Sequence, residues 1–256
     1  MRNKKLQELR DKINGFLLPL CFYLALLALL LYKFGDRMML PPMLQLVRVF
    51  FQMCSSGEVS ENVLMTLKRF CFGFSLGAGA GLAIGFLCGI SKKTRYMLEP
   101  LVYFLYPLPR FVLFPFLILI FGSGMGSHVV FVAMGAFFPC VINTLSGFEQ
   151  INNSFLEVAH HYGAKGWPLF RRVIFPASLP SLFAGLRVAL GLALTYTVIV
   201  EYLVATKGLG ALIWLSLQTF RIDKLVIGGF LVAALNLFFI LIVKVSERVV
   251  IPWESA

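Results

Sequence analysis

Five glycines recur at every fourth position in the stretch GFSLGAGAGLAIGFLCG. A glycine-rich run can cradle a phosphate, but such loops carry a Lys-Ser/Thr pair or a downstream acid that completes the site. This chain has no GKS or GKT, and the core of the run is spaced GxGxxxG. A four-residue spacing instead places the glycines along one side of a helix, as in membrane helices that pack closely. We therefore expect a helix-packing face made of Gly73, Gly77, Gly81, Gly85 and Gly89.

Ionisable and polar side chains inside apolar segments are the next candidates for chemistry. Glu201 lies deep in such a segment, where an acid usually faces a bundle interior or a cavity; near the outer end it would instead cap a helix or reach water. Arg110, beside two prolines, faces either a passage for an anionic solute or the cytoplasmic interface. Asn143, Thr144 and Thr197 either line a polar path or hydrogen-bond between helices. These five residues are the candidate translocation path.

Metal and cofactor sites are not expected. His160 and His161 are adjacent and point about 100° apart on a helix, which makes a poor metal pair. The five cysteines include no CxxC pair, and four of them lie inside apolar segments, so they are expected to be small buried side chains.

The composition requires a membrane. Hydrophobic residues make up 59% of the 256 residues and charged residues only 14%, against about 25% in soluble domains. A water-soluble globule could not cover this much apolar surface. The net charge of +11 does not indicate nucleic acid, because the basic residues cluster between apolar blocks.

Hydropathy and loop signals predict an all-α membrane protein with about six transmembrane helices. The third span contains Pro107, Pro109 and Pro115 and should be kinked or partly unwound. The expected spans are 16–34, 62–90, 98–121, 128–147, 180–204 and 225–246. Around them we expect a cytoplasmic amphipathic lead (1–15), an external loop or interfacial helix (35–60), a five-helix core (61–250) with a cytoplasmic loop (148–177), and a tail (251–256).

The lysine and arginine counts set the expected orientation. With the N-terminus inside, thirteen of these residues fall in cytoplasmic segments and six in outer segments. The sequence therefore predicts that both termini are cytoplasmic.

The segment EVAHHYGAKGWPLFRRVIFPASLP is out of character for a loop. It begins with a helical pattern, breaks at Gly163 and resumes as an aromatic and basic stretch before Pro176. A short helix, a glycine turn and a second amphipathic piece are typical of a docking surface for another protein.

This segment resembles the EAA loop of bacterial ABC importer permeases, written EAA-x3-G-x9-I-x-L-P. Gly163 comes six residues after Glu157, and Pro176 comes thirteen after Gly163. Three positions depart from the motif: Val158 replaces the first alanine, Val173 the isoleucine and Phe175 the leucine. LPP near residue 40, PLPRFVLFPFLILIFG, GAFFPCVINTLSGF, PASLPSLFAGLRVALG and GLGALIW extend the resemblance to the sulfonate, taurine and nitrate branch over about residues 40–250.

The resemblance implies a permease subunit in the bacterial cytoplasmic membrane, not an enzyme. It implies two cytoplasmic ATPase subunits, which use ATP and Mg, an extracytoplasmic substrate-binding protein and a second permease copy, by default the same chain. The loop would seat a coupling helix in a groove of the ATPase. The implied coupling residues are Glu157, Val158, Ala159, Gly163, Trp167, Val173 and Pro176.

Two other classes are less well supported. A gradient-driven secondary transporter would call for inverted repeats and several intramembrane charges. An intramembrane enzyme would call for clustered acids or a nucleophile–base pair, whereas the twelve acidic residues are scattered singly. The sequence does not name the solute: sulfonates, taurine, nitrate, bicarbonate and small heterocyclic vitamin precursors are all carried by permeases of this kind.

Overall fold

A computed structural model describes residues 41–251 of the chain, and within them every regular element is helical. Val49 onwards forms one compact unit. The expected amphipathic lead (1–15), the expected first span (16–34) and residues 252–256 of the expected tail lie outside the described residues.

Within residues 41–251, four helices are long and apolar enough to cross a membrane: α2 (Glu58–Ile90), α5 (Met125–Glu149), α7 (Trp167–Val204) and α9 (Ile222–Val250). The pair formed by Lys92–Leu105 and Arg110–Phe121 passes the same criterion but is bent by 92°, so it gives a fifth crossing if it counts as one span. The helices are α1 (Met43–Ser55), α2 (Glu58–Ile90), α3 (Lys92–Leu105), α4 (Phe114–Phe121), α5 (Met125–Glu149), α6 (Asn153–His161), α7 (Trp167–Val204), α8 (Leu209–Gln218) and α9 (Ile222–Val250). The all-α membrane class predicted from the sequence is confirmed.

The core lies where α2, α5 and α7 meet. Its buried members alternate large and small side chains, so that the three helices approach one another closely. They are Phe70, Ala78, Val132, Ala136, Cys140, Ala189, Leu190, Ala193 and Leu194. By contrast, only 11% of the residues in the apolar stretch of α9 are buried within the chain. An outer helix this apolar is stable where lipid or another membrane chain covers it.

The glycine face of α2 lies against α5. A Cβ atom at Gly77 would overlap the backbone carbonyl of Ala133, and one at Gly81 would come within 2.5 Å of the Phe137 carbonyl oxygen. The other three glycines meet side chains of α5: Gly73 meets Val132, Gly85 meets Thr144 and Gly89 meets Phe148. Gly79, which is off this face, has no atom within 4 Å of such a Cβ. The two helices are therefore packed backbone against backbone.

The break expected in the third span is a sharp bend. α3 ends at Leu105, residues 106–109 are not helical, and a 3-10 turn (Arg110–Leu113) leads into α4. Pro107 and Pro109 lie in this break, while Pro115 lies in the first turn of α4, where its missing N–H has no partner to lose.

α7 begins well before residue 180, where the sequence places the start of the fifth span. The sequence places Pro176 in the cytoplasmic loop (148–177), but the helix runs through it from Trp167. Residues Phe170–Ile174 are wound as a π-helix, in which the Phe175 N–H bonds to the Phe170 carbonyl five residues back. The wider turn leaves room for the proline ring, which would otherwise clash with the carbonyl four residues earlier.

Candidate functional site

The first candidate site is the exposed segment that joins α5 to α7. Three residues separate the end of α5 at Glu149 from α6. Asn152 caps α6, since its Oδ1 accepts a hydrogen bond from the Ser154 N–H at 2.9 Å. Among residues 154–161 only Ala159 is buried, while Phe155 and Val158 are more than half exposed.

A Schellman turn ends α6 at Gly163. The Gly163 N–H bonds to the His160 carbonyl and the Ala164 N–H to the Ala159 carbonyl, each at 2.9 Å. Gly163 has φ +76°, a left-handed conformation that favours glycine. The chain therefore reverses at the residue at which the sequence predicts the helix to end.

Aromatic stacking fixes the far side of the turn. Trp167 is 65% exposed and stacks on Phe170, with ring centroids 5.4 Å apart. Phe170 in turn contacts Phe86 of α2 and Phe148 of α5. Val173, together with Pro176, is partly buried behind this cluster. The exposed tryptophan is thus tied to the ends of the core helices.

The charge pattern leaves one acid of this surface without a partner. Among residues 41–251, every aspartate and glutamate except Glu157 forms a salt bridge. Glu157 is exposed and lies beside exposed Val158. A short helix that presents apolar side chains and a free carboxylate has the chemistry of a protein-docking surface.

The second candidate site is a buried polar cluster around Glu201, whose exposure is 0%. Its carboxylate accepts hydrogen bonds from Arg69 Nη1 at 2.7 Å, Thr66 Oγ1 at 2.8 Å and the Gly210 N–H at 3.1 Å. The last bond caps the first turn of α8 with a negative charge. The Arg69 Nη1 also donates to the Lys207 carbonyl at 2.6 Å.

Two glycines make room for this cluster. A Cβ at Gly208, which has φ +127°, would overlap the Glu201 carboxylate, and one at Gly210 would overlap the Val198 carbonyl. The Gly208 N–H donates to Asn62 Oδ1 at 2.8 Å. The cluster therefore ties α2, α7 and the start of α8 together, and it places Glu201 inside the chain rather than at its surface.

The third candidate site surrounds Arg110, which is 6% exposed. Its guanidinium carbon lies 4.7 Å from the ring centroid of Phe138, 5.2 Å from that of Tyr106 and 5.9 Å from that of Tyr196. Nη1 donates to the Tyr196 hydroxyl at 3.0 Å and Nη2 to the Tyr106 carbonyl at 2.7 Å. We call these four residues the aromatic box.

The remaining candidates for a polar path bond to their own helices. Thr144 and Thr197 are fully buried, and their hydroxyls donate to the carbonyls four residues back, Cys140 at 2.6 Å and Ala193 at 2.8 Å. The Asn143 Nδ2 likewise donates to the Pro139 carbonyl at 2.9 Å. The structure does not bring these residues into the aromatic box.

Comparison with known proteins identifies the family. Residues 81–251 match the profile of the family described as the binding-protein-dependent transport system inner membrane component. The match covers residues 150–176, which we call the docking segment, as well as the Glu201 carboxylate and the aromatic box. The chain belongs to this family. It is therefore a multi-pass inner-membrane permease of the ABC transporter class.

Named relatives of this permease differ in solute. It is 33% identical, over 85% of its length and 79% of the relative's, to a Bacillus subtilis strain 168 protein provisionally named an aliphatic sulfonates transport permease. It is 30% identical to a riboflavin transport system permease of Chloroflexus aurantiacus (81% and 77% of the two chains). It is 28% identical to a nitrate import permease of Synechocystis (76% and 70%).

Sequence reasoning about the permease missed the partners of its buried charges. Arg69, Thr66 and Asn62 are not among the residues that the sequence singles out. The available signal was an acid and an arginine that both lie within apolar segments, since such charges usually pair with each other. The aromatic side chains around Arg110 gave no signal, because they come from three separate parts of the chain: the break after α3, α5 and α7.

Proposed function

We propose that this permease forms the translocation pathway of an ABC importer that takes up a small anion. An extracytoplasmic binding protein delivers the solute, and two cytoplasmic ATPase subunits, which consume ATP and Mg, drive the transport. The chain has no Walker A motif of its own, so the energy comes from these partners. It binds no cofactor and no nucleic acid, and lipid surrounds its apolar faces.

The docking segment carries this proposal. Its exposed side chains Phe155, Val158, Tyr162 and Trp167 would be costly to leave in water and are suited to a groove on another protein. Glu157 is then available for a cation of that partner. In this proposal Ala159 and Gly163 set the helix position, while Val173 and Pro176 lie behind the turn as its support.

The proposed ATPase partner also sets the orientation of the permease in the membrane. An ATPase is cytoplasmic, so the docking segment and both termini lie inside, in agreement with the distribution of lysine and arginine. A second copy of this chain completes the pathway. A purified complex that contained two different permease chains would contradict the homodimer.

The solute class rests on the sulfonate- and nitrate-named relatives. Alkanesulfonates and nitrate are small oxyanions, and taurine carries a sulfonate group beside its ammonium group. The similarity to the riboflavin permease favours a second candidate, a vitamin precursor or another small heterocycle. A gradient-driven transporter is the least supported alternative.

Vesicle transport tests the proposal. Vesicles that contain the permease, its ATPase and its binding protein should take up the solute only when ATP is supplied on the ATPase side. Vesicles that lack the ATPase should be inactive. Gradient-driven flux without the ATPase would establish the secondary transporter instead, and uptake of uncharged heterocycles in preference to oxyanions would establish the second candidate.

A further inference from the structure

The guanidinium of Arg110 has no counter-ion among residues 41–251. Among residues 41–251, each carboxylate that forms a salt bridge does so with a cation other than Arg110. Two of its five N–H donors are used, by the Tyr196 hydroxyl and the Tyr106 carbonyl. The buried Nε has no hydrogen-bond acceptor. The three rings of the aromatic box offset only part of the cost of burying the charge.

The depth of the aromatic box makes this arrangement costly. Phe138 lies near the middle of α5, about 20 Å along the helix from Met125 and about 17 Å from Glu149 at 1.5 Å per residue. An ionisable side chain at this depth is expensive in lipid and usually marks a solute pathway.

The backbone around Arg110 also points to a pathway. Residues 106–109 are not helical, and Tyr106, Leu108 and Phe111 are exposed in the chain. Non-helical backbone at membrane depth is tolerated where it is buried in protein or lines a water-filled cavity. Because Tyr106 covers the guanidinium and is itself exposed, a turn of this one side chain would open the aromatic box.

We infer that the aromatic box binds the translocated solute, and that this solute is an oxyanion with one delocalised negative charge. The planar guanidinium fork matches two oxygens of a sulfonate or a nitrate, and the unused N–H groups are the donors for them. One guanidinium balances one negative charge. The rings supply apolar walls that suit a short alkyl stem. This inference rests on the proposed function, because it names the site within the translocation pathway at which the anion binds.

The test is ligand-dependent thermal stabilisation of the complete permease–ATPase complex in lipid nanodiscs without the binding protein. Sodium ethanesulfonate is titrated against sodium gluconate at constant ionic strength, with dimethyl sulfone as the uncharged probe. Ethanesulfonate should raise the unfolding midpoint of the wild-type complex, and dimethyl sulfone should not. In Arg110→Gln the concentration needed for half of the shift should rise about tenfold or more, as expected for loss of hydrogen bonds to a charged group.

Lys68→Gln is the matched control, because Lys68 is an exposed cation of α2; its shift should equal that of the wild type. If Arg110→Gln fails to assemble, Arg110→Lys takes its place. It keeps the charge but loses the planar fork, so, with sodium chloride as a further probe, it should lose the preference for ethanesulfonate over chloride that the wild type is expected to show. An absent wild-type shift, an equal shift in Arg110→Gln, or an unchanged preference in Arg110→Lys would overturn the inference.

ATP-dependent uptake, measured in parallel, separates this inference from the proposed function. If uptake is present but the ethanesulfonate shift does not depend on Arg110, the aromatic box is not the solute site and the importer assignment stands. If the shift depends on Arg110 but no ATP-dependent uptake occurs, the anion site stands and the importer assignment is wrong.

Discussion

Glu201 of α7 and Arg69 of α2 form an ion pair of 2.7 Å whose carboxylate has no exposed surface. The two residues are 132 positions apart in the sequence. Each charge has further hydrogen bonds, from Thr66 and Gly210 to Glu201 and from Arg69 to the Lys207 carbonyl. A buried pair of this kind is costly to form but far more costly to break, because the remaining partner becomes an uncompensated charge.

Glu201→Gln should therefore destabilise the permease strongly. Breaking a buried pair costs about 3–5 kcal/mol, so the thermal midpoint and the yield from membranes should both fall. Lys207→Gln is the control, because its pair with Glu61 is exposed and such pairs contribute about 0–1 kcal/mol. The double substitution Arg69→Met with Glu201→Leu should recover part of the loss. If Glu201→Gln is as stable as Lys207→Gln, the pair does not hold α2 to α7.

Gly77→Ala should damage assembly, whereas Gly79→Ala should not. The first methyl group would overlap the Ala133 carbonyl of α5, and the second meets open space two residues away on the same helix. Replacing an exposed helical glycine by alanine is neutral or stabilising by about 0.5–1 kcal/mol. Gly81→Leu should be more damaging than Gly77→Ala. Membrane yield and thermal midpoint measure the difference, and equal behaviour of the two alanine variants would refute the packing role.

Gly163→Val should leave the permease in the membrane but weaken its coupling to the ATPase. A β-branched residue at φ +76° is strained, while the space around a Cβ at this position is open within the chain. The defect should therefore appear in complex recovery, and in uptake per ATP hydrolysed, rather than in folding. Lys165→Arg, two residues away, should be close to neutral. Normal recovery and fully coupled uptake in Gly163→Val would remove the docking segment from the mechanism.

Thiol labelling checks the orientation. In a variant whose only cysteine is Cys54, which is exposed near the end of α1, a membrane-impermeant reagent should label cells whose outer envelope admits it. A variant whose only cysteine replaces Lys165 should be labelled only after the inner membrane is opened. Labelling of the Lys165→Cys variant in intact cells would reverse the proposed topology.

The sequence predicts those features that depend on local spacing. The four-residue repeat from Gly73 to Gly89 follows from helical geometry, and the end of α6 at Gly163 follows from the demand for a left-handed residue. The pairing of Glu201 with Arg69 does not follow from local spacing; its one signal is that both charges lie within apolar segments, where such charges usually pair. The aromatic box depends on the 92° bend after α3, and the prolines there predict a break but not its direction.

The contact between α2 and α5 has a mechanical consequence. The two backbones meet at Gly77 and Gly81, and the glycines on either side of them pack against side chains of α5, so sliding of one helix along the other would break this contact. α6 is joined to the end of α5 by three residues. We therefore expect a force applied at α6 to move α2 and α5 together. Arg69 lies in α2, one helical turn before Gly73, and its ion pair with Glu201 joins α7 to the two helices. The glycines therefore keep the two helices moving as one rigid body, because a side chain added at this contact would push them apart and loosen the link between them.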